Sequence, residues 1–421
     1  MKSEIRNPKS EIHPLRVMYI ARAPFISGAE RALVSMLRHL DRARVEPALL
    51  VGHETALVDE ARRLQIPVAV TPLARREKAG VFLWWRSLRQ VGRAIRDFDP
   101  HILHANDVPS CQALSVIGGQ RKIPRVVHVR WGITASDLAW WACGAGGAEC
   151  LLCISQWVKS ELGSVGATVL AKSRIEVLAD AVDWPALLPL PWGEGWGEGS
   201  HEVDTASEST LTDDHSSSHP QEFFHVPSPQ PSPQGRGGRK TLGFAGQLIE
   251  SKGLDLVIQA MAKLPASARP RLLVAGEDTQ TQGAYKTQLQ MLAEQHGVTN
   301  DIKWLGFLAD VSQLYQQVDV VVCPSRVEPL GLVPLEAAKW SLPTLANRVG
   351  GLAETIVEDE TGWLIEPTVE AWATVLARLS DTAALRSMGQ AARERTCRLY
   401  NPMNYTSRLL QLYHDLLIGE K

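Results

Sequence analysis

Two carboxylates stand eight positions apart in Glu328-Pro-Leu-Gly-Leu-Val-Pro-Leu-Glu336, with Gly331 between them. Cys323-Pro-Ser-Arg326 precedes them, at the end of an apolar run of strand type. The chain is therefore expected to leave a strand, turn through Pro329–Gly331 and begin a helix that carries Glu336. The first amides of a helix have no intrahelical partner and lie at the positive end of its dipole, which suits a diphosphate. Glycine at 331 lets the backbone approach a ligand closely. A carboxylate one turn into the helix can accept hydrogen bonds from two ribose hydroxyls, and one on the turn can face a sugar. The same spacing fits a capped helix with two solvated acids, and spacing alone leaves both readings open.

The elements that would position these groups alternate along the chain. Leu15–Ala21, Val45–Val51, His101–His104, Arg125–Val129 and Leu151–Ile154 are strand-type runs, with helical periodicity over Gly28–Leu40 and Leu83–Phe98. Further on, strand-type Thr241–Ala245, Arg271–Ala275, Asp319–Cys323 and Pro343–Ala346 alternate with helical Leu254–Leu264, Ala284–His296 and Leu332–Trp340. Helical patterns fill most of the chain from Val369 onward. This alternation predicts an α/β protein of two doubly wound, Rossmann-like domains. The expected division is a disordered tail over residues 1–14, an N-terminal domain over 15–185 and an insertion over 186–239. A C-terminal domain over 240–401 and a closing helix over 402–421 follow.

The bulk properties agree. A chain of 421 residues is long enough for two domains with full cores, and 45% apolar residues mark it as globular. A net charge of -2 provides no overall basic field for nucleic acid. Six cysteines in such a chain make no disulfide scaffold, so a reducing, cytoplasmic setting is expected. The apolar run Leu15–Ala21 is too short and wrongly flanked for a signal peptide, and no stretch approaches the roughly 20 apolar residues of a membrane span. The expectation is a soluble protein, at most peripheral on the inner face of a membrane.

Residues 186–239 hold little apolar periodicity and much Pro, Gly, Ser and acid. Trp192–Gly199 reads WGEGWGEG and Pro227–Gln234 reads PSPQPSPQ. If PSPQ is encoded CCC-TCA-CCC-CAA, its reverse complement, read one base over, encodes WGEG. An inverted DNA repeat inserted here and translated explains both; a Pro-rich ligand is the rival reading. Either way the segment is expected to be a disordered surface loop. KSEI also recurs, at Lys2–Ile5 and Lys9–Ile12, in the tail.

The carboxylate pair and its neighbours resemble, in order and spacing, the retaining glycosyltransferases of family 4 (glycosyl transferases group 1), whose E-x7-E motif matches Glu328 to Glu336. Ser27-Gly-Ala-Glu-Arg31 resembles the family's glycine-containing loop before its first helix, and Gly246-Gln-Leu-Ile-Glu-Ser-Lys-Gly253 its G-R-x-x-x-x-K-G phosphate loop. Gly350-Gly-Leu-Ala-Glu354 is similar to its G-G-x-x-E segment, Asp359-Glu-Thr-Gly-Trp363 to its D-G-x-x-G-x-L stretch, and Ile154–Glu161 to its S-x-x-x-K/R segment. The likeness covers residues 15–185 and 239–420.

The resemblance implies a GT-B fold, with the two domains facing across a cleft and the closing helix crossing back to the first. It implies transfer of a hexose-like sugar from a nucleotide-diphosphate sugar to a carbohydrate or lipid-linked acceptor, in polysaccharide or glycolipid synthesis. Lys252 would neutralise the leaving diphosphate, Gly28, Gly331 and Leu332 would offer backbone amides, Glu336 would hold the ribose and Glu328 the sugar. No cofactor and no metal are expected, because fixed positive groups and a helix terminus would stabilise the leaving group.

Gln247 stands where the family's phosphate loop has Arg, which removes a permanent charge and a bidentate fork; Arg326, Arg348 or Arg31 are candidates to compensate. Ile102–Asp107 resembles the family's H-x-H with Asn106 in the second place and His104, a catalytic candidate, in the first. Asn106 and His128 are candidates for the acceptor side, and Asp180-Ala181 replaces an Asn-Gly. A degenerate protein that binds nucleotide sugar without transfer, and a nucleotide-sugar epimerase, are the rival functions. Cys150-Leu-Leu-Cys153 is either a pair of buried thiols or part of a metal or redox site. Residues 75–96 carry seven Arg and Lys around Phe82, Trp84 and Trp85, and read either as an anionic-membrane surface or as a solvated helix face. If residues 186–239 are a loop outside the fold, replacing them with a short flexible linker should leave the melting temperature unchanged. A large fall would place the segment in the folded core.

Overall fold

The computed structural model describes residues 14–22, 28–74, 80–114, 123–131, 147–170, 173–183 and 239–419. Nearly all of the expected tail and insertion lie outside these residues, as do Ser27, Arg75, Arg76 and Lys78. The first half runs β1 (Leu15–Ala21), α1 (Gly28–Arg38), β2 (Val45–Val51), α2 (Ala56–Arg63), β3 (Val68–Val70), α3 (Val81–Phe98), β4 (Ile102–Ala105) and α4 (Val108–Leu114). It continues with β5 (Arg125–Val129), β6 (Cys150–Cys153), α5 (Gln156–Leu170) and β7 (Arg174–Val177). The seven strands form a parallel sheet in the order β3-β2-β1-β4-β5-β6-β7.

The second half runs β8 (Thr241–Ala245), α6 (Leu254–Ala262), β9 (Arg271–Ala275), α7 (Ala284–Gln295), β10 (Ile302–Gly306), α8 (Ser312–Tyr315), β11 (Val320–Cys323) and α9 (Leu332–Lys339). Then come β12 (Thr344–Asn347), α10 (Leu352–Thr355), β13 (Gly362–Ile365), α11 (Val369–Leu376), α12 (Thr382–Leu399) and α13 (Pro402–Ile418). Its six parallel strands are ordered β10-β9-β8-β11-β12-β13.

The strands that apolar runs announced are the inner ones, such as β1 and β11, buried along their length. The four not anticipated, β3, β7, β10 and β13, are the two edges of each sheet. β3, β7 and β10 are only partly buried, so selection for a continuous apolar run is absent there.

The last helix leaves the second half. Asn401 caps α13 by accepting from the Met403 amide at 2.8 Å, Pro402 fills the first helical position, and Gly419 ends it with φ 80°. Its Tyr405, Leu409, Leu410, Leu412 and Tyr413 are buried in the same core as Val17, Leu33, Leu37 and Leu49 of the first half. A second apolar cluster joins the halves directly, bringing Leu330 and Leu335 together with Ala105, Val127 and Val158. Leu409→Ala is expected to cost about 2–5 kcal/mol by urea or thermal unfolding, whereas Ile418→Ala, at a 73% exposed side chain, should cost under about 0.5 kcal/mol. Equal losses at both would contradict the docking of α13.

Candidate functional site

Each sheet reverses its winding once, between β1 and β4 in the first and between β8 and β11 in the second. Ligands of open α/β sheets bind at the carboxyl ends of strands at such switch points. The loops leaving those strands carry Gly28, Asn106, Gln247 with Lys252, and Arg326 with Glu328.

In the second half, Lys252 occupies a single 3₁₀ turn, Glu250–Lys252, closed by Gly253 at φ 66°. A Cβ on Gly253 would lie 2.0 Å from the Pro324 carbonyl oxygen, so only glycine lets this loop press against the Cys323–Arg326 turn. The contact brings the Lys252 ammonium 2.7 Å from Glu328 Oε2, to which Ser325 Oγ also donates at 3.2 Å. Burial, the largest single influence, works to lower the Lys252 pKa, yet the Glu328 charge and hydrogen bond together with Cys323 outweigh it, and the ammonium is held above its ordinary value. Burial pushes the neighbouring Cys323 thiol up to about 12, so it stays protonated. Asn347, buried at the end of β12, donates to the carbonyls of Pro324 (2.6 Å) and Ser325 (3.1 Å) and accepts from Trp372 Nε1 at 2.7 Å. Nothing in the sequence patterns marked Asn347 or Trp372.

The arginines separate clearly. Arg326 forks onto Asp255 at 2.9 and 2.7 Å and donates to the Glu250 carbonyl, so it fastens the phosphate-loop candidate rather than facing the cleft. Arg348 is taken by Glu358 at 2.5 Å and Glu366 at 3.4 Å. Gln247 is exposed. Arg31 alone of the three candidates reaches the carboxylate motif, with Nη1 3.4 Å from Glu336 Oε1 and its side chain half exposed.

Glu336 also accepts from Tyr315 Oη at 3.2 Å, so residues of both halves hold its carboxylate. Burial, and then the Glu336 charge, raise the Tyr315 pKa well above its ordinary value and keep the phenol a donor. Gly331 starts α9 at φ 96°, and no side chain caps the helix. Gly28 starts α1, and a Cβ there would lie 3.1 Å from Leu332 Cδ1. Two helix N-termini thus converge on the space beside Lys252, Glu328 and Glu336.

The start of α5 is treated differently. Ser155 Oγ accepts from the Val158 amide at 3.1 Å, and the amides of Gln156 and Trp157 both donate to the Glu354 carboxylate of the second half at 2.8 Å. Ser155 Oγ also donates to the Pro329 carbonyl, within the carboxylate motif, at 2.6 Å. Two segments that the sequence patterns picked out separately are therefore one interdomain joint.

His104 and His128 are buried beneath α13, at 1% and 2% exposure, against its Tyr413 and Tyr405. A hydrogen-bonded chain runs from Tyr19 through Tyr413 to His104 Nδ1, from His104 Nε2 to His128 Nδ1 (3.0 Å), and from His128 Nε2 to Tyr405 (2.8 Å). All four ring nitrogens are engaged, an arrangement that suits a structural histidine pair as well as the catalytic and acceptor-side roles expected from sequence. Asn106 is buried too. Its oxygen atoms accept from Arg130 and its amide nitrogen donates to the Ala29 carbonyl at 3.3 Å, which holds the start of α1. Arg130 in turn forks onto Asp180 at 2.9 and 2.8 Å. The departures at 106 and 180 are thus two ends of one buried network. Cys150 and Cys153 are buried in different core clusters with thiols pushed up to about 12 by burial. Among the described residues no three His, Cys, Asp or Glu groups are placed to share a metal, so the pair gains no further ligand from them.

Two doubly wound parallel sheets, meeting along the carboxyl ends of their strands, make the fold that of the GT-B glycosyltransferases. Residues 230–395 match the family model for glycosyl transferases group 1, and residues 27–179 match that for the glycosyl transferase 4-like domain. Both halves of the chain thus match glycosyltransferase family models, one for each half. It is 32% identical over 184 residues to a D-inositol 3-phosphate glycosyltransferase of Corynebacterium urealyticum, covering 42% of this chain and 43% of that protein. It is 30% identical over 172 residues to the N-acetyl-alpha-D-glucosaminyl L-malate synthase of Bacillus anthracis, covering 40% of this chain and 44% of that one. The chain thus spans less than half the length of the curated relatives it matches. In fold it is similar to Anabaena Alr3699/HepE, solved in complex with UDP, with a TM-score of 0.73 and 16% identity over 95% of this chain and all of that one.

The buried histidines set an acid limit. Burial, then the Arg130 charge, lower His104 to about 3, and the same two causes hold His128 well below its ordinary value. In the unfolded chain both titrate near 6.5, so below that pH the unfolded state binds more protons than the folded one. The stability they confer is complete above about pH 6.5 and is lost as pH falls toward the folded values, by about 1.4 kcal/mol per pH unit for each histidine. Urea unfolding between pH 7 and pH 5 should show this slope, and His104→Gln should reduce it. A flat profile in the parent protein would contradict the neutral, buried pair.

Proposed function

We propose that the chain is a retaining glycosyltransferase that uses a nucleotide-diphosphate sugar as donor and needs no metal. The observation that carries this reading is the placement of Lys252, Glu328 and Glu336 around the uncapped start of α9, with the start of α1 opposite. The α9 amides and Lys252 would receive the diphosphate, with Arg31 adding the charge that Gln247 lacks. Glu336 would accept from the ribose hydroxyls, and Glu328 would face the donor sugar once phosphate draws Lys252 away from it. The acceptor oxygen then bonds to the anomeric carbon on the face from which the phosphate departs. The bond from that carbon to the phosphate oxygen breaks with its electron pair going to the phosphate, and the same phosphate takes the acceptor proton. Preorganised positive groups lower the barrier because charge develops on the leaving oxygen. The acceptor is a carbohydrate or a lipid-linked one, as in polysaccharide or glycolipid synthesis.

A second reading, binding without transfer, is favoured by one observation: Gln247 is exposed and Arg326 is committed to Asp255. Thermal unfolding against a panel of nucleoside diphosphates and nucleotide sugars tests the site. A true donor at about 100 times its dissociation constant should add about 2.7 kcal/mol of stability, with or without EDTA. Glu336→Ala and Arg31→Ala should each weaken that binding by about 1.5–3 kcal/mol. No stabiliser from a folded sample would remove the donor site. Stabilisation without transfer or donor hydrolysis across a wide acceptor panel would leave the second reading standing.

A further inference from the structure

We propose that the first turn of α3 is an insertion tip that docks this protein on an anionic lipid surface, independently of what the cleft transfers. The tip is apolar on every side. Val81 is 72% exposed, Phe82 79%, Leu83 59% and Trp85 54%. Trp84 packs edge-on against Trp85, with ring centroids 5.6 Å apart. At about 100° per residue, positions 81, 85, 82 and 83 spread over about 200° of the helix surface, outside the arc of Leu88, Val91 and Ile95. Trp84, on the side that continues the buried face, is half-buried, and the other four are exposed, so the start of α3 is its least covered part and full burial begins at Ser87 and Leu88. An exposed cluster of large apolar side chains on a folded protein marks an interaction site.

Charge identifies the occupant. Arg86, Arg89, Arg93 and Arg96 are all exposed and fall within about 80° of one another on the helix. They lie opposite the buried Leu88, Val91 and Ile95. One acid, Asp97, accompanies them, 3.6 Å from Arg93. The helix cannot lie flat with an apolar face in lipid, because its apolar face is already in the protein core. It can enter end-on and tilted, with residues 81–85 below the headgroups and the arginine stripe beside them. Five residues rise about 7 Å, within the roughly 5–10 Å depth of an interfacial helix. Aromatic rings suit that depth, and arginines suit anionic headgroups. No helix among the described residues is long and apolar enough to cross a membrane, so attachment by this tip is peripheral.

Flotation of the full chain with vesicles tests the proposal. Vesicles of phosphatidylglycerol and phosphatidylcholine should carry about tenfold more protein than phosphatidylcholine alone, and high salt should remove most of the difference. Phe82→Ser with Trp85→Ser should lower flotation about tenfold or more with an unchanged melting temperature, since both side chains are exposed. Arg86→Gln with Arg89→Gln should remove the preference for the anionic vesicles. Failure to float with anionic vesicles would overturn the proposal, as would flotation that ignores the Phe82 and Trp85 changes. A concentration-dependent dimer lost in the same double variant, with no flotation, would assign the tip to a second copy instead.

Discussion

The amides at a helix N-terminus must find acceptors, and this protein meets that requirement in two opposite ways. At α5 the demand is satisfied internally: Ser155 takes one amide and Glu354, from the other half of the chain, takes two. At α9 no side chain caps the helix. One helix start therefore fastens the two halves together, and the other remains open in the space between them. The joint reaches the open site, because Ser155 also donates to the Pro329 carbonyl between Glu328 and Gly331. Loss of the joint would disturb the turn that precedes the α9 amides.

The halves are further bound by apolar burial. α13 belongs to the second half in sequence and to the first in packing. The buried Tyr–His chain beneath it fixes its rotation, since each ring nitrogen and hydroxyl requires a partner out of water. Placing neutral histidines there makes the attachment sensitive to acid. The Arg130–Asp180 pair, with Asn106, fixes the neighbouring start of α1. Removing one member would leave a buried charge uncompensated, which is more damaging than the pair's net worth.

Charge at the cleft is divided between positioning and binding. Arg326 lies near the carboxylate motif in sequence, but its guanidinium is neutralised by Asp255, so its effect is to hold the loop that carries Lys252. Lys252 rests against Glu328. In the proposed reaction a diphosphate would compete for that ammonium, which would leave the Glu328 carboxylate to face the donor sugar. Arg31 is half exposed and therefore movable.

Much of the architecture was legible in the residues. Inner strands of parallel sheets are buried on both faces, so β1, β2, β8 and β11 announced themselves as apolar runs. The edge strands did not, and three of them, β3, β7 and β10, are only partly buried. The carboxylate pair and the glycine between them were legible because a strand-to-turn-to-helix path constrains residue type locally. Other features depended on residues far apart in the chain. Nothing near Asn106 says that its oxygens accept from Arg130, nothing near His104 says that Tyr413 covers it, and nothing near Trp157 says that Glu354 caps its helix. The choice among Arg31, Arg326 and Arg348 was also open, because a guanidinium's role is set by the carboxylate it meets. Sequence alone determined two doubly wound halves and a glycine-containing turn between a strand and a helix, since periodicity and backbone chemistry are local. Only the tertiary structure decided which polar groups are spent on holding the halves together and which stay available, because a buried polar group is defined by its partner.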